Sequence, residues 1–199
     1  MFPESIQNII KELSKLPDIG PRAATRLAFY LINQNQEELD KLSLSIKNLK
    51  TKIHLCSQCF NIASKESKLC SICESHQRDK SIICVVETIL NIPPIEKTKQ
   101  FQGLYHVLGG TISPGNGLGP DKLKIDELIK RIKDNKSSIK EIIFALSPTT
   151  EGDTIFLYIQ RMLGPLGIKT SRLARGLSFG SDLEYIDEST LSSAFQGRR

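Results

Sequence analysis

The sequence predicts a multi-part α+β protein. A helical N-terminal segment, a small four-cysteine module and an α/β region with a mainly parallel sheet follow one another along the chain, which ends in a short tail. Three observations carry that prediction. Apolar residues recur at three- and four-residue steps from Glu4 to about Lys50; Cys56, Cys59, Cys70 and Cys73 fall within eighteen residues; and from Ser81 onward short apolar runs alternate with amphipathic helical patterns.

In the first segment Ile6, Ile9, Ile10 and Leu13, then Leu27, Phe29 and Leu31, then Leu39, Leu42, Leu44 and Leu49 read as three short helices. Between the first two lies Leu16-Pro17-Asp18-Ile19-Gly20-Pro21, a compact turn. Pro21 suits the first turn of the next helix, where its missing N–H leaves no bond unmade, and Gly20 permits an unusual backbone angle. The free N–H groups of that helix start, with Arg22 and Arg26 one turn apart on one face, form an anion site. Backbone amides hold a phosphate oxygen whatever the base, and the arginines add charge and counterion release. The competing reading is a helical hairpin with solvated arginines.

The next module is more specific. Cys56-x2-Cys59 and Cys70-x2-Cys73 each place two thiolates on one knuckle of backbone, and two knuckles close a four-thiolate shell around Zn2+ with no position left for a reacting water. A structural zinc is therefore expected, and zinc chemistry is not. Two disulfides would need an oxidising compartment, whereas the chain opens MFPESIQNIIKEL, without a basic stretch followed by an apolar one. His54 and His76 flank the pairs, but the thiolates already fill the tetrahedron. The fifth cysteine, Cys84, lies inside an apolar run and reads as a buried thiol without chemistry.

Bulk properties narrow the function classes. With 199 residues, 39% of them hydrophobic, the chain can bury an ordinary core, and no apolar run approaches the ~20 residues that span a bilayer. A soluble, cytoplasmic protein without a membrane role is expected. A formal charge of +5 is compatible with nucleic acid, although it is spread along the whole chain.

In the α/β region Ile82 to Val86, Tyr105 to Leu108, Ile142 to Leu146 and Ile168 to Leu173 read as strands. Leu123, Leu128, Ile129 and Ile132 mark one helix, and Ile155, Leu157, Ile159 and Met162 another. Glu87 follows the first strand directly, and Ser147-Pro-Thr-Thr-Glu151-Gly-Asp153 follows the third, both at strand ends where α/β sheets build sites. The Gly-rich stretch from Gly109 to Pro120 lacks the Gly-Lys-Ser/Thr of a nucleotide loop and reads as a surface loop, connecting or partner-facing, that ends at a helix opened by Asp121.

Two parts resemble known families. The turn with Gly20, Arg22 and Arg26 is similar to the helix-hairpin-helix motif of DNA-binding proteins, with Asp18 where the first glycine often stands. The strands with Glu87 and Glu151-Gly152-Asp153 resemble the Toprim domain, whose catalytic members hold Mg2+ with a glutamate and an Asp-x-Asp pair. Here Ser147 and Thr149 stand at the two aspartate positions, and two neutral hydroxyls do not neutralise Mg2+ as carboxylates do. No catalytic residue is assigned. A Mg2+-dependent Toprim nuclease or topoisomerase-like enzyme is the alternative, and a zinc-dependent interaction module that never touches DNA is a third reading.

Taken in order with Leu108-Gly109-Gly110, Ser171-Arg-Leu-Ala-Arg-Gly176 and Leu183-Glu-Tyr-Ile-Asp187, these segments resemble the RecR family of bacterial recombination mediators over essentially the whole chain. The resemblance implies four parts: a helix-hairpin-helix region at 1–54, a four-cysteine zinc finger at 55–78, a Toprim-like domain at 79–176, and a Walker B-like or oligomerisation tail at 177–199. It implies a non-enzymatic protein of recombinational repair that acts with RecO and RecF to help load RecA at single-stranded gaps. It also implies a dimer or tetramer ring around DNA, DNA contacts at Arg22, Arg26 and Gly20, and partner docking at Glu87 and Glu151. In the tail, strand pairing or subunit contact is expected. The zinc is expected to fix how the helical and Toprim-like parts are oriented.

Overall fold

The computed structural model describes residues 2–112 and 119–198, and they divide into two compact units, 1–52 and 53–199. The first unit is all helix: α1 (Glu4–Leu13), α2 (Pro21–Ile32) and α3 (Gln36–Lys52). Ala24 and Ala28, one turn apart on α2, are fully buried, because small side chains let α1 approach closely, and Phe2 closes one end edge-on against Phe29. Little else in this unit is covered. Tyr30, Leu44, Ile46 and Leu49 are each about 60% exposed, although their spacing is that of an amphipathic helix.

The second unit opens with the cysteine module: a two-stranded antiparallel hairpin of β1 (Ile53–Leu55) and β2 (Ile62–Ser64), then the single-turn α4 (Ser71–Glu74). A four-stranded sheet follows, built from β3 (Asp79–Val86), β4 (Gly103–Val107), β5 (Glu141–Ala145) and β6 (Lys169–Arg172) in the order β4-β3-β5-β6, every pair parallel. Helices α6 (Ile125–Asp134) and α7 (Thr150–Leu163) supply the connections. The expected sheet and its two helices are therefore present. One face of the sheet buries Ile83, Val85, Ile142 and Phe144 against Leu128, Ile132, Ile155 and Ile159, so the apolar stripes of α6 and α7 point at the strands as their periodicity requires. The other face buries Cys84, Val86, Tyr105 and Val107.

Buried polar atoms on that second face are paired. The Tyr105 hydroxyl donates to Glu96 over 2.6 Å, and Glu96 in turn holds Arg78 in an ion pair. Burial first, then the Glu96 carboxylate, pushes the Tyr105 phenol well above its ordinary range. Burial alone lifts the Cys84 thiol to about 12, which keeps it an inert core group.

Two sequence expectations change, and one short helix was not read from the sequence. The helix expected to open at Asp121 begins at Ile125, because Pro120–Lys122 forms a separate 3-10 turn first. The short α5 (Ile92–Lys97) was hidden by Pro93 and Pro94, which sit in the first turn, where a missing N–H is tolerated. The Leu183 to Asp187 segment makes no strand. It forms a 3-10 turn, and the Asp187 carboxylate then accepts from the Thr190 amide at 2.9 Å to cap α8 (Glu188–Gln196). In the Gly-rich stretch, residues 113–118 lie outside the described residues.

Candidate metal centre and nucleic-acid interface

The N-terminal turn does not use the conformational freedom that Gly20 offers. Gly20 has φ −78° and ψ 170°, an extended geometry open to any residue, so the unusual angle is not there. It falls on Asp18, at φ 62°, which is the left-handed position a glycine commonly fills and which Asp tolerates through its short polar side chain. The substitution seen in the sequence thus preserves the turn. Gly20 becomes the cap of α2, its carbonyl accepting from the Ala24 amide at 2.9 Å, and Pro21 takes the first helical position. Arg22 and Arg26 are both exposed, with no ion pair or side-chain hydrogen bond among the described residues. No acidic residue sits in the first turn of α2, so the amides there and the two arginines give this helix start a positive character, with Asp18 in the preceding turn.

The four cysteines converge. Their Sγ atoms all lie within 4.8 Å of one another, each is at most 5% exposed, and Cys59 and Cys70 approach to 3.5 Å. A tetrahedral ion with bonds of about 2.3 Å needs sulfur atoms about 3.8 Å apart, which this cluster matches. Local backbone makes the geometry. The Cys56 carbonyl accepts from the Phe60 amide at 3.0 Å, and Phe60 adopts φ 62° so that the chain can fold back over the first knuckle. The Cys70 carbonyl accepts from Glu74, also at 3.0 Å, to close the second. The thiols share protons unevenly: Cys70 is drawn far below the usual thiol range by hydrogen bonds from Cys59 and Cys73, while its neighbours rise, Cys59 to about 12. A divalent cation binds the thiolate form, so metal binding by such a cluster would displace the protons its thiols hold.

The module is docked on the sheet by backbone. The Cys59 carbonyl accepts from the Val107 amide at 2.9 Å, on the outer edge of β4, and Phe60 packs edge-on against the buried His106 at 5.4 Å. An edge strand that would otherwise expose its amides is thereby covered.

The end of the sheet that resembles a Toprim site holds no such donor set among the described residues. Strand order reverses between β3 and β5, which opens a crevice at their C-terminal ends. Glu87 lies there, but it is 6% exposed and both oxygens are engaged: one accepts from the Ser147 amide and the other from the Ser147 hydroxyl, each at 2.7 Å. The Glu87 carboxylate thus joins the ends of β3 and β5 internally. Glu151 is exposed in the first turn of α7. Gly152 is needed where it stands, because a Cβ there would lie 2.1 Å from the Ser147 carbonyl oxygen. The Thr149 hydroxyl accepts from the Gly152 amide at 3.2 Å and caps the helix. Ser147 and Thr149 therefore replace metal ligation by internal hydrogen bonding.

Three residues with roles were not singled out from the sequence. Asp153 forms ion pairs with both Arg172 and Arg175, and these, Arg175 first, hold its carboxyl below the usual range. The third is Arg131 on α6, whose guanidinium donates to the Tyr105 carbonyl at 2.7 Å. A charged residue inside the apolar stripe Leu128, Ile129, Ile132 was the available signal for Arg131; the Ser171 to Gly176 run carried one for the other two only through the resemblance.

Comparison with known proteins covers the whole chain. A model of the RecR helix-hairpin-helix matches residues 6–50, a Toprim domain model matches 81–174, and a RecR C-terminal model matches 176–199. The chain is 46% identical to the recombination protein RecR of Chloroherpeton thalassium over 98% of this chain and 96% of that protein. It is 44% identical to the proteins of the same name from Frankia alni and Streptomyces coelicolor, over 100% of this chain and 98% of each.

Proposed function

The chain belongs to the RecR family of recombination proteins, and on that premise we propose that it is a zinc-containing, non-catalytic DNA clamp of recombinational repair. The observation that supports the DNA contact is the start of α2, where exposed Arg22 and Arg26 stand in and after a first turn without acidic residues and form no ion pair among the described residues. Phosphates are the anions such a surface takes, and it reads no base.

The other parts of the proposal follow from the chemistry of each region. Zinc is the ion that four buried thiolates favour, and Cys56, Cys59, Cys70 and Cys73 would hold it in a closed shell that braces the module. The absence of catalysis is supported by the committed Glu87 and by the hydroxyls at Ser147 and Thr149, which leave no pair of carboxylates for Mg2+. A homo-oligomeric ring, dimer or tetramer, is supported by the apolar residues that the N-terminal helices leave exposed. Within such a ring we assign DNA binding to 1–54, the zinc finger to 55–78, the Toprim-like domain to 79–176 and subunit contact to 177–199. Docking of RecO falls to exposed Glu151, RecF being the second partner, and the product of the assembly is RecA loaded at gaps. No helix among the described residues is long and apolar enough to cross a membrane, and the site of action is the cytoplasm, where the DNA is.

The test is DNA binding by the full-length protein carrying Arg22→Ala and Arg26→Ala. The double variant is expected to bind more weakly and to lose about one unit of salt slope per phosphate contact removed. A binding curve that overlays the unmodified protein at every salt concentration overturns the assignment.

A further inference from the structure

Four thiolates around a divalent cation make a doubly negative centre, and burying such a centre without a counter-charge is costly. Lys65 and Lys68 of the module are exposed to solvent, and three less exposed basic side chains, Arg78, Lys124 and Arg131, stand near it. Arg78 is neutralised by Glu96, and Lys124, whose ammonium lies 5.3 Å from the centre of the Phe60 ring, is paired with Glu127 at 2.9 Å. The third, Arg131, has no carboxylate within ion-pair distance among the described residues, yet it is largely buried.

Its position is set by the edge of β4. Backbone groups of alternate residues in a strand face the same edge, so Tyr105 and Val107 both point outward, away from β3. The Val107 amide is taken by the Cys59 carbonyl at 2.9 Å, and the Tyr105 carbonyl by Arg131 Nη1 at 2.7 Å. The guanidinium and the first cysteine knuckle are therefore neighbours on one strand edge. The second nitrogen, Nη2, is buried and donates to nothing among the described residues. The residue between, His106, cannot share the positive charge: its Nε2–H donates to the Lys124 carbonyl at 2.8 Å, and burial pushes it down to about 4, so it is neutral. Burial also draws the Arg131 guanidinium down, and the influences that raise it again come from all four cysteines.

From this arrangement we propose that Arg131 is the buried counter-charge of the four-cysteine metal centre, holding the ion in place by offsetting the negative charge of its ligands. The proposal rests on the reading of the cysteines as a metal site. It assigns to α6, which supplies no ligand, control over how tightly the module keeps its ion. Residues that orient or neutralise a ligand shell change metal affinity by about 10- to 100-fold when altered.

The experiment compares metal release from the full-length protein and its Arg131→Met, Arg131→Gln and Arg131→Lys variants, each loaded with zinc and mixed with excess chromogenic chelator. Metal content of the unmodified protein is measured first; a metal-free preparation refutes the metal reading itself. With metal present, Arg131→Met is expected to release it at least about tenfold faster, and Arg131→Lys to recover most of the loss. Equal release by Arg131→Met and the unmodified protein overturns the counter-charge alone. If Arg131→Met does not fold, Gln and Lys carry the comparison. Both lose the guanidinium fork toward Tyr105 and only Lys keeps the charge, so equal release rates from these two assign Arg131 a packing role and overturn the proposal. Cobalt-substituted protein gives a second readout, since its thiolate charge-transfer bands are expected to shift in the Met and Gln variants and not in Lys.

Discussion

Two regions of the second unit have the outline of a metal site, and they have kept different halves of it. The cysteine module keeps the donors: four buried Sγ atoms within 4.8 Å, set on knuckles whose carbonyls are satisfied by local amides. The crevice between β3 and β5 keeps the scaffold, a strand end with Glu87 and a capped helix beginning at Thr150, but its carboxylate is spent on the Ser147 amide and hydroxyl. Outline alone therefore says little about chemistry. What decides is whether the polar atoms are still available, and in the crevice they hold the sheet together.

The largest effect that would test this contrast is removal of the metal. The binding free energy of a structural zinc is folding free energy, about 10–16 kcal/mol in isolated finger peptides, and no preformed core replaces it here, because the module's buried cluster consists of the cysteines themselves with Ala63. Chelation, or Cys56→Ser, is expected to unfold the module and free the Val107 amide from the Cys59 carbonyl. Hydrogen exchange at Val107 and thiol titration follow this directly. Four newly reactive thiols with fast exchange at Val107 are expected, whereas unchanged protection would show that the module stands without its ion. Addition of Mg2+ is expected to leave the melting temperature where it was, because the crevice offers it no free carboxylate pair.

A middle-sized effect tests the crevice as a packed structural joint. Gly152→Ala puts a methyl group 2.1 Å from the Ser147 carbonyl oxygen, a backbone atom that cannot swing away, and α7 or the β5 end must shift. Overpacking of this kind costs about 1–3 kcal/mol, visible as a lower denaturation midpoint with an unchanged slope. A midpoint equal to that of the unmodified protein would mean that the joint is looser than its geometry indicates.

The same contrast explains what could be read from the sequence. Cysteine donors lie within eighteen residues, so their spacing alone specified the centre, and the strands and helices of the sheet announced themselves by apolar runs and 3.6-residue periodicity. The bond between Glu87 and Ser147 spans 60 residues and exists only after β3 and β5 pair, which is why Glu87 read as an accessible acid. Arg131 was obscured for the same reason: it meets Tyr105 across 26 residues. At the N-terminal turn the glycine drew attention to the wrong position. Composition marks where an unusual angle is easy, and the chain placed it instead on Asp18. The N-terminal helices carried an amphipathic pattern that their own unit does not bury, so the pattern was legible and its partner was not.

The smallest effect concerns Asp153 in the first turn of α7, which holds Arg172 and Arg175. Those guanidiniums depress the Asp153 pKa in the folded state, so their stabilising contribution is complete above the ordinary aspartate value near 3.8 and is lost as pH falls through the lower folded value. The Asp153 side chain is 39% exposed, and solvent screening limits the contribution to about 0.5–1 kcal/mol. Asp153→Asn is therefore expected to lower stability slightly at pH 7 and to flatten the acid limb of the stability curve below about pH 4. Urea titrations of the two proteins across that range measure both. Parallel acid limbs would show that the pair of arginines is held by packing, as Arg172 already is by its contact with the Phe156 ring, and that the carboxylate between them is incidental to the fold.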